Sequence, residues 1–218
     1  MNNVVAEISN HLLFRYRLKC HSVADGQKKP IELKPSFELP ELQTLDGNKP
    51  FAQVRAAWNS DGLFFWVKVK GKKQSLWCRR TQLLESDGMQ IWLDTRDTHN
   101  LHRATKFCHW FMFLPAGEGS DQKKPLSTML KINRAREHSP TINRYPCEMT
   151  SSISKSGYSM AIFVPGIAIN GWDSNEHRLI GFNYAIQDRE LGFQCLSMGM
   201  DFPISEDPSL WQTLNLDG

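Results

Sequence analysis

The feature that most restricts this chain is a spacing of two. After the turn signal Asp87-Gly88, apolar and polar residues alternate without a break. Met89, Ile91 and Leu93 fall on one side; Gln90, Trp92, Asp94 and Arg96 fall on the other. An extended chain projects successive side chains to opposite faces, so this pattern is a β-strand with one face in a core. The same period returns along the sequence. Gln53 to Trp58 and Leu63 to Lys70 flank Asn59-Ser60-Asp61-Gly62, a hairpin connection by composition. Leu126 to Asn133, Glu148 to Ser154, Tyr158 to Val164, Leu179 to Gln187, Phe193 to Gly199 and Leu210 to Leu216 read as further strands, with a turn at Gly157. Phe107 to Leu114 is apolar on both faces and is bounded by Pro115, which predicts a central strand covered on both sides. Pro165 to Trp172 is the single candidate helical turn.

The N-terminal part fits the same plan. In His11 to Cys20, Leu12, Phe14, Tyr16, Leu18 and Cys20 face inward, while Arg15, Arg17 and Lys19 face outward. Outward charges discourage edge pairing, so this strand is expected at a sheet edge. Residues 22–50 carry Pro30, Pro35, Pro40 and Pro50 and read as a wrapping segment with little regular structure. Roughly ten strands at short spacing predict an all-β chain. The expected architecture is a single antiparallel β-sandwich, jelly-roll-like, with very little helix. The 7 Trp and 12 Phe suit a wide core between two sheet layers. Residues 1–36 are expected to form an N-terminal strand and wrapping segment of the same domain, and residues 37–218 the sandwich proper.

Charge and cysteine usage narrow the setting. The net charge is +3, and the basic residues come as scattered pairs: Lys28-Lys29, Lys72-Lys73, Arg79-Arg80 and Lys123-Lys124. Such pairs predict solvated loops rather than a nucleic-acid footprint. No stretch reaches the apolar length that spans a bilayer, and residues 1–7 lack the form of a secretory signal. Five widely spaced cysteines without a CxxC pair suit reduced thiols in a cytoplasmic protein, with Cys20, Cys108 and Cys195 as small buried groups.

Several side chains could carry chemistry. Sugars offer hydroxyl edges and weakly polar C–H faces, so a sugar site wants a flat aromatic ringed by amide, carboxylate or guanidinium groups. Gln90, Trp92, Asp94 and Arg96 supply that set on one strand face, and Trp66 and Lys68 on the earlier hairpin are placed to adjoin them. The competing reading covers Trp92 with a loop and pairs Asp94 with Arg96 to hold the strand end. If a sugar stacks on Trp92, Trp92→Ala costs about 1–3 kcal/mol of binding and Gln90→Ala about 1 kcal/mol. Both variants are expected to fold, because the core face is untouched.

Metal, haem and catalytic readings find less. His99, His102 and His109 fall close together with Asp97, but at spacings that match no ligand motif, so solvated or capping roles are expected. Met112, Met160, Met198 and Met200 could serve haem only through a Met–His pairing, and as thioethers they are also routine core fillers. Asp87, Asp94 and Asp97 are crowded into one strand and its ends, whereas glycoside hydrolysis needs two carboxylates across a cleft. No nucleophile-elbow, phosphate-loop or Cys/His signature occurs, so neither an enzyme nor a cofactor is expected.

The order of motifs adds a resemblance. Ala57-Trp58-Asn59-Ser60-Asp61-Gly62-Leu63-Phe64-Phe65-Trp66-Val67-Lys68-Val69 resembles the opening hairpin of the family 9 carbohydrate-binding modules, within the wider DOMON-like superfamily. Asp87-Gly88-Met89-Gln90-Ile91-Trp92-Leu93-Asp94 is similar to their D-x-V-E-I-F-x-D strand, and Tyr158 to Pro165 to their Y-x-x-E-x-A-I-P strand. Ile180-Gly181-Phe182-Asn183-Tyr184-Ala185-Ile186-Gln187-Asp188 resembles G-F-N-V-x-V-x-D, and Asp207-Pro208-Ser209 opens a similar closing motif. The resemblance runs from about Phe37 to Gly218. It implies the sandwich, a non-catalytic module and a saccharide as the possible partner. In sugar-binding members two tryptophans clamp a terminal glucose ring. Their positions align here with Leu84 and Ser205, neither aromatic, and the motif's Glu aligns with Gln90. A structural or protein-interaction sandwich without a sugar site is the alternative, with a haem-binding redox domain behind it.

Overall fold

The computed structural model describes residues 14–42, 49–142, 144, 147–196 and 202–218. Among these residues eleven strands form: β1 Arg17–Ser22, β2 Ala52–Asn59, β3 Gly62–Lys70, β4 Gly88–Asp94, β5 Cys108–Glu118 and β6 Lys124–Leu130, then β7 Glu148–Ser154, β8 Gly157–Pro165, β9 Leu179–Asp188, β10 Gly192–Cys195 and β11 Gln212–Asp217. The helical elements among the described residues are short 3₁₀ turns, one of them Gly166–Ala168 inside the predicted helical stretch.

All eleven strands join one sheet in the order β6-β5-β4-β9-β11-β1-β2-β3-β8-β7, with β10 added to β9. The sheet curls until its two ends nearly meet. Ser127 Oγ on β6 donates to the Cys147 carbonyl beside β7 at 2.9 Å, and Ser151 Oγ on β7 donates to the Pro115 carbonyl of β5 at 2.7 Å. Its inner face wraps one core, built from the apolar side of each alternation: Met89, Ile91 and Leu93 of β4, Val54 of β2, Phe65 and Val67 of β3, Phe182, Tyr184 and Ile186 of β9. Phe65 and Phe182, from opposite layers, stack with centroids 5.8 Å apart and planes at 6°. This is the expected all-β sandwich. Each fully buried side chain of this size contributes about 1.5–3 kcal/mol through lost apolar exposure.

β1 departs from the expected edge position. It lies inside the sheet, parallel to β11 on one side and to β2 on the other. Leu18 and Cys20 are buried as predicted, but Phe14 is exposed; Leu12 lies outside the described residues. The outward charges Arg17 and Lys19 stand on the outer face of the sheet, where solvent reaches them without an edge being open. The hairpin at Asn59 forms as expected, with β2 and β3 in register from Ala52↔Val69 to Asn59↔Gly62. Gly62 is required there, because a Cβ would lie 2.2 Å from the Val164 carbonyl oxygen. β5 runs past Pro115, its pairing with β6 losing register between Leu114 and Glu118.

The outer faces are covered as well. Chain from 23 to 37 lies over β2, β3 and β8, closing Leu33, Phe64, Trp66 and Phe163 into a second cluster. On β4, β5 and β9 a third cluster gathers Trp92, Trp110, Ala185, Cys195, Ile204 and Trp211. All five cysteines are buried and none forms a disulfide among the described residues, and burial pushes the Cys78 and Cys108 thiols up to about 12.

One basic residue expected in a solvated loop is internal. Lys72, just past β3, is buried between Asp87 before β4 and Asp188 at the end of β9. Its Nζ donates to Asp87 Oδ2 at 3.0 Å and to Asp188 at 2.8 and 2.7 Å. Asp87 also accepts the Trp77 and Arg189 amides, and Asp188 those of Glu190 and Leu191. Burial works against the ammonium, but the two aspartates outweigh it and hold Lys72 above the usual lysine range. Three strand ends are thereby tied at one point.

Candidate ligand-binding cleft

β4 lies between β5 and β9, so its outer face forms a floor of cross-strand rungs. Trp92 is in register with Trp110 and Asn183; Gln90 with Met112 and Ala185; Gly88 with Gln187, which pairs in turn with Phe193 of β10. One wall is the 3₁₀ turn Leu83–Glu85, which presents Leu84 at 51% exposure. The other wall is the chain from 202 to 205. Trp211 Nε1, at the foot of β11, donates to the Ile204 carbonyl at 2.8 Å and holds that wall against the sheet. Between the walls is a cleft of about 270 Å³ lined by Leu84, Gln90, Trp92, Trp110, Gln187, Phe193, Phe202, Ile204 and Ser205.

Hydrogen bonding fixes what the floor presents. Trp110 Nε1 donates to Gln90 Oε1 at 3.1 Å. An indole nitrogen can only donate, so the Gln90 oxygen must face it and the amide nitrogen is left over. Trp92 and Trp110 stack with centroids 5.6 Å apart and planes at 23°. Trp92 is 1% exposed, and its Nε1 is buried without a partner among the described residues, as are both amide atoms of its neighbour Asn183.

The six predicted site residues do not converge. Gln90 and Trp92 line the cleft. Asp94 and Arg96, on the same alternation, serve the strand end instead. Asp94 is buried and accepts the Arg96 amide at 3.0 Å and the Thr98 amide at 2.7 Å; burial still raises its pKa against these bonds. The Arg96 guanidinium donates to the Thr95 and Gly171 carbonyls and lies 4.2 Å over the Phe107 ring. Trp66 does not adjoin Trp92, because β11, β1 and β2 stand between β9 and β3. It packs under chain 23–37 with the Arg55 guanidinium 4.1 Å above its ring. Lys68 lines a different, polar groove of about 300 Å³ with Lys70, Ser152 and Ser159.

The histidines also separate. His99 Nε2 lies 2.8 Å from Asp97 and 3.0 Å from Thr213 Oγ1, whereas His102 Nδ1 meets Asp207 at 3.0 Å. His109 faces the interior of β5. Its Nε2 accepts the Asn170 amide at 2.8 Å, and burial lowers its pKa to about 4. Among the described residues no group of His, Cys, Asp or Glu is arranged to hold a metal. Met112 and Met160 are buried in apolar clusters; Met198 and Met200 lie outside the described residues.

No protein-family model matches the sequence, and no curated protein does. Solved structures do match. A family 9 carbohydrate-binding module from Caldicellulosiruptor kristjanssonii, in complex with cellotriose, superposes with a TM-score of 0.60 over 92% of this chain and 94% of that one, at 10% identity. The chain has the family 9 fold. A module of that family and organism in complex with glucose gives a TM-score of 0.58 at 10% identity, covering 92% of this chain and 96% of that one. A protein from Bacteroides uniformis described as carbohydrate-binding gives 0.55 at 14% identity, covering 93% and 99%. The likeness is one of fold. Among the described residues no helix is long and apolar enough to cross a membrane.

Five lining residues were absent from the sequence reading: Trp110, Gln187, Phe193, Phe202 and Ile204. Register was the missing signal for Trp110 and Gln187, which stand beside Trp92 and Gly88 only once β4 is paired. Phe193 follows from the pairing of β10 with β9, and Phe202 and Ile204 from the folding-back of chain after residue 201.

Proposed function

We propose that this chain is a non-catalytic carbohydrate-binding module whose ligand sits in the cleft over β4. One observation carries the reading. Leu84, Gln90 and Ser205, which the sequence resemblance aligns with two clamp positions and a hydrogen-bonding position, line the same cleft. Leu84 and Gln90 lie six residues apart, but Ser205 is 115 residues beyond Gln90, and nothing in the alternation of β4 requires it to meet them. Neutral amides and a hydroxyl are groups that sugar edges use, and the buried indole pair forms the support beneath them. None of the nine lining residues is a carboxylate, and glycoside hydrolysis needs a pair.

The test is calorimetric titration of the purified chain with mono- and oligosaccharides, guided by a glycan array. Saturable binding that weakens in Gln90→Ala supports the proposal; no saccharide binding at millimolar concentration sinks it. The second reading, a sandwich without a sugar site, is favoured by Leu84 and Ser205, which supply no aromatic clamp. It gains from a blank titration. A Soret band after haem addition would favour the redox alternative over both.

A further inference from the structure

The cleft carries a chemical preference of its own, and the inference rests on the saccharide-binding reading above. Gln90 sits at the centre of the floor with its oxygen committed to Trp110 Nε1 at 3.1 Å. What it can offer a ligand is its amide N–H₂, a donor. The neighbouring Trp92 indole N–H is buried beneath the floor without a partner among the described residues, so the Gln90 amide is the donor that a ligand can reach. No carboxylate lines the cleft to accept from sugar hydroxyls. The walls around this donor are apolar: Leu84 on one side, Phe202 and Ile204 on the other, Phe193 beyond Gln187.

A bare hexose fits such a floor poorly. Those of its hydroxyls that face the hydrocarbon walls, beyond reach of Gln187 and Ser205, would lose their water without an acceptor in exchange. A substituent that pairs a carbonyl oxygen with a methyl group fits well. The oxygen takes the Gln90 amide, and the methyl packs against leucine, isoleucine and phenylalanine. Gln187 and Ser205, whose side chains make no hydrogen bond among the described residues, remain for ring hydroxyls. The volume, about 270 Å³, is near the lower end for ligand pockets and suits one sugar unit rather than a long chain. We propose that the cleft selects a neutral 2-acetamido-2-deoxyhexose, the acetamido oxygen bonded to Gln90 Nε2 and its methyl lodged between Leu84 and Ile204.

The experiment titrates the full chain with glucose, glucosamine, N-acetylglucosamine and the β-1,4-linked dimers of the first and third, followed by calorimetry. N-acetylglucosamine and its dimer are expected to bind about tenfold or more tighter than glucose and cellobiose, the worth of one added hydrogen bond and a buried methyl. Glucosamine, which lacks the carbonyl and the methyl, gains nothing over glucose. Gln90→Glu is the decisive variant. It keeps an oxygen for Trp110 and the side-chain shape but removes the N–H₂, so at pH 8, where an ionised carboxylate has no proton to donate, the acetamido preference should fall to about unity; the buried charge lowers the melt as well, and retained glucose binding shows that the cleft is intact. Equal binding of glucose and N-acetylglucosamine overturns the inference and leaves the saccharide reading standing. A preference that survives Gln90→Glu overturns the assignment to Gln90. Failure of every sugar to bind overturns both readings.

Discussion

Lys72→Met leaves the volume of the buried side chain and removes its charge. Asp87 and Asp188 would then face each other, each fully buried, with only backbone amides for partners. Removing one partner of a buried ion pair costs about 3–5 kcal/mol, because the remaining charge is stranded. At a urea slope of about 3 kcal/mol per molar, the midpoint falls by about 1–2 M. The pH dependence is the sharper test. Lys72 is held above the usual lysine range, so its contribution is present in full below the unfolded lysine pKa, about 10.4, and is lost only as pH rises through the higher folded value. In Lys72→Met the two stranded carboxylates prefer to be protonated, so their folded pKa values rise above the unfolded value of about 3.9. The variant should therefore gain stability as pH falls from 7 toward 5. Urea melts at pH 5, 6 and 7 check this. A loss under about 1 kcal/mol at pH 7, or no gain on acidification, would refute the argument that this ammonium holds the strand ends together.

Trp92→Ala should unfold more easily rather than merely bind less, since Trp92 is buried in the third cluster; the expected loss is about 3–5 kcal/mol by thermal or urea melt, and a near-neutral result would place the ring in solvent. His109 is about 4 when folded and about 6.5 when unfolded, so the folded chain binds fewer protons between those values and stability drops as pH falls from about 6.5 to 4. His109→Gln, which keeps an acceptor for the Asn170 amide, should flatten that part of the stability–pH curve; an unchanged slope would assign the titration elsewhere.

Period-2 alternation carried most of the fold because each strand buries one face against a common core, and the inner residues of β4, β3 and β9 obey it. It could not decide the fate of the outer face. Trp92 and Gln90 share a side with Asp94 and Arg96, yet a wall of chain 202–205 covers the first pair and a tight connection consumes the second. Coverage of that kind depends on loops whose course has no period to read. Lys72 shows the same limit. Beside Lys73 it looks like any solvated basic pair, and only the docking of Asp87 and Asp188 around it makes it internal. Strand order was hidden too: the charges of β1 suggested an edge, while its two parallel pairings set it between the halves of the sheet.

That insertion bears on how the chain is made. β1 is the join between β11 and β2, and the Tyr16 amide already meets Gln212 Oε1 across 196 residues of sequence. A ribosome adding about 5–20 residues per second needs about 10–40 s to cover that distance. For that interval β1 lacks the partner of its longer pairing, and its β11 side stays open; once β9 is made, the β11 side of β9 is open as well. The closing contacts are thus of very high sequence separation, the kind that slows folding and leaves sticky margins for other chains. Nascent chains halted before β11 should associate with holding chaperones or with one another, and release of the complete β11 should be the moment at which protease resistance appears.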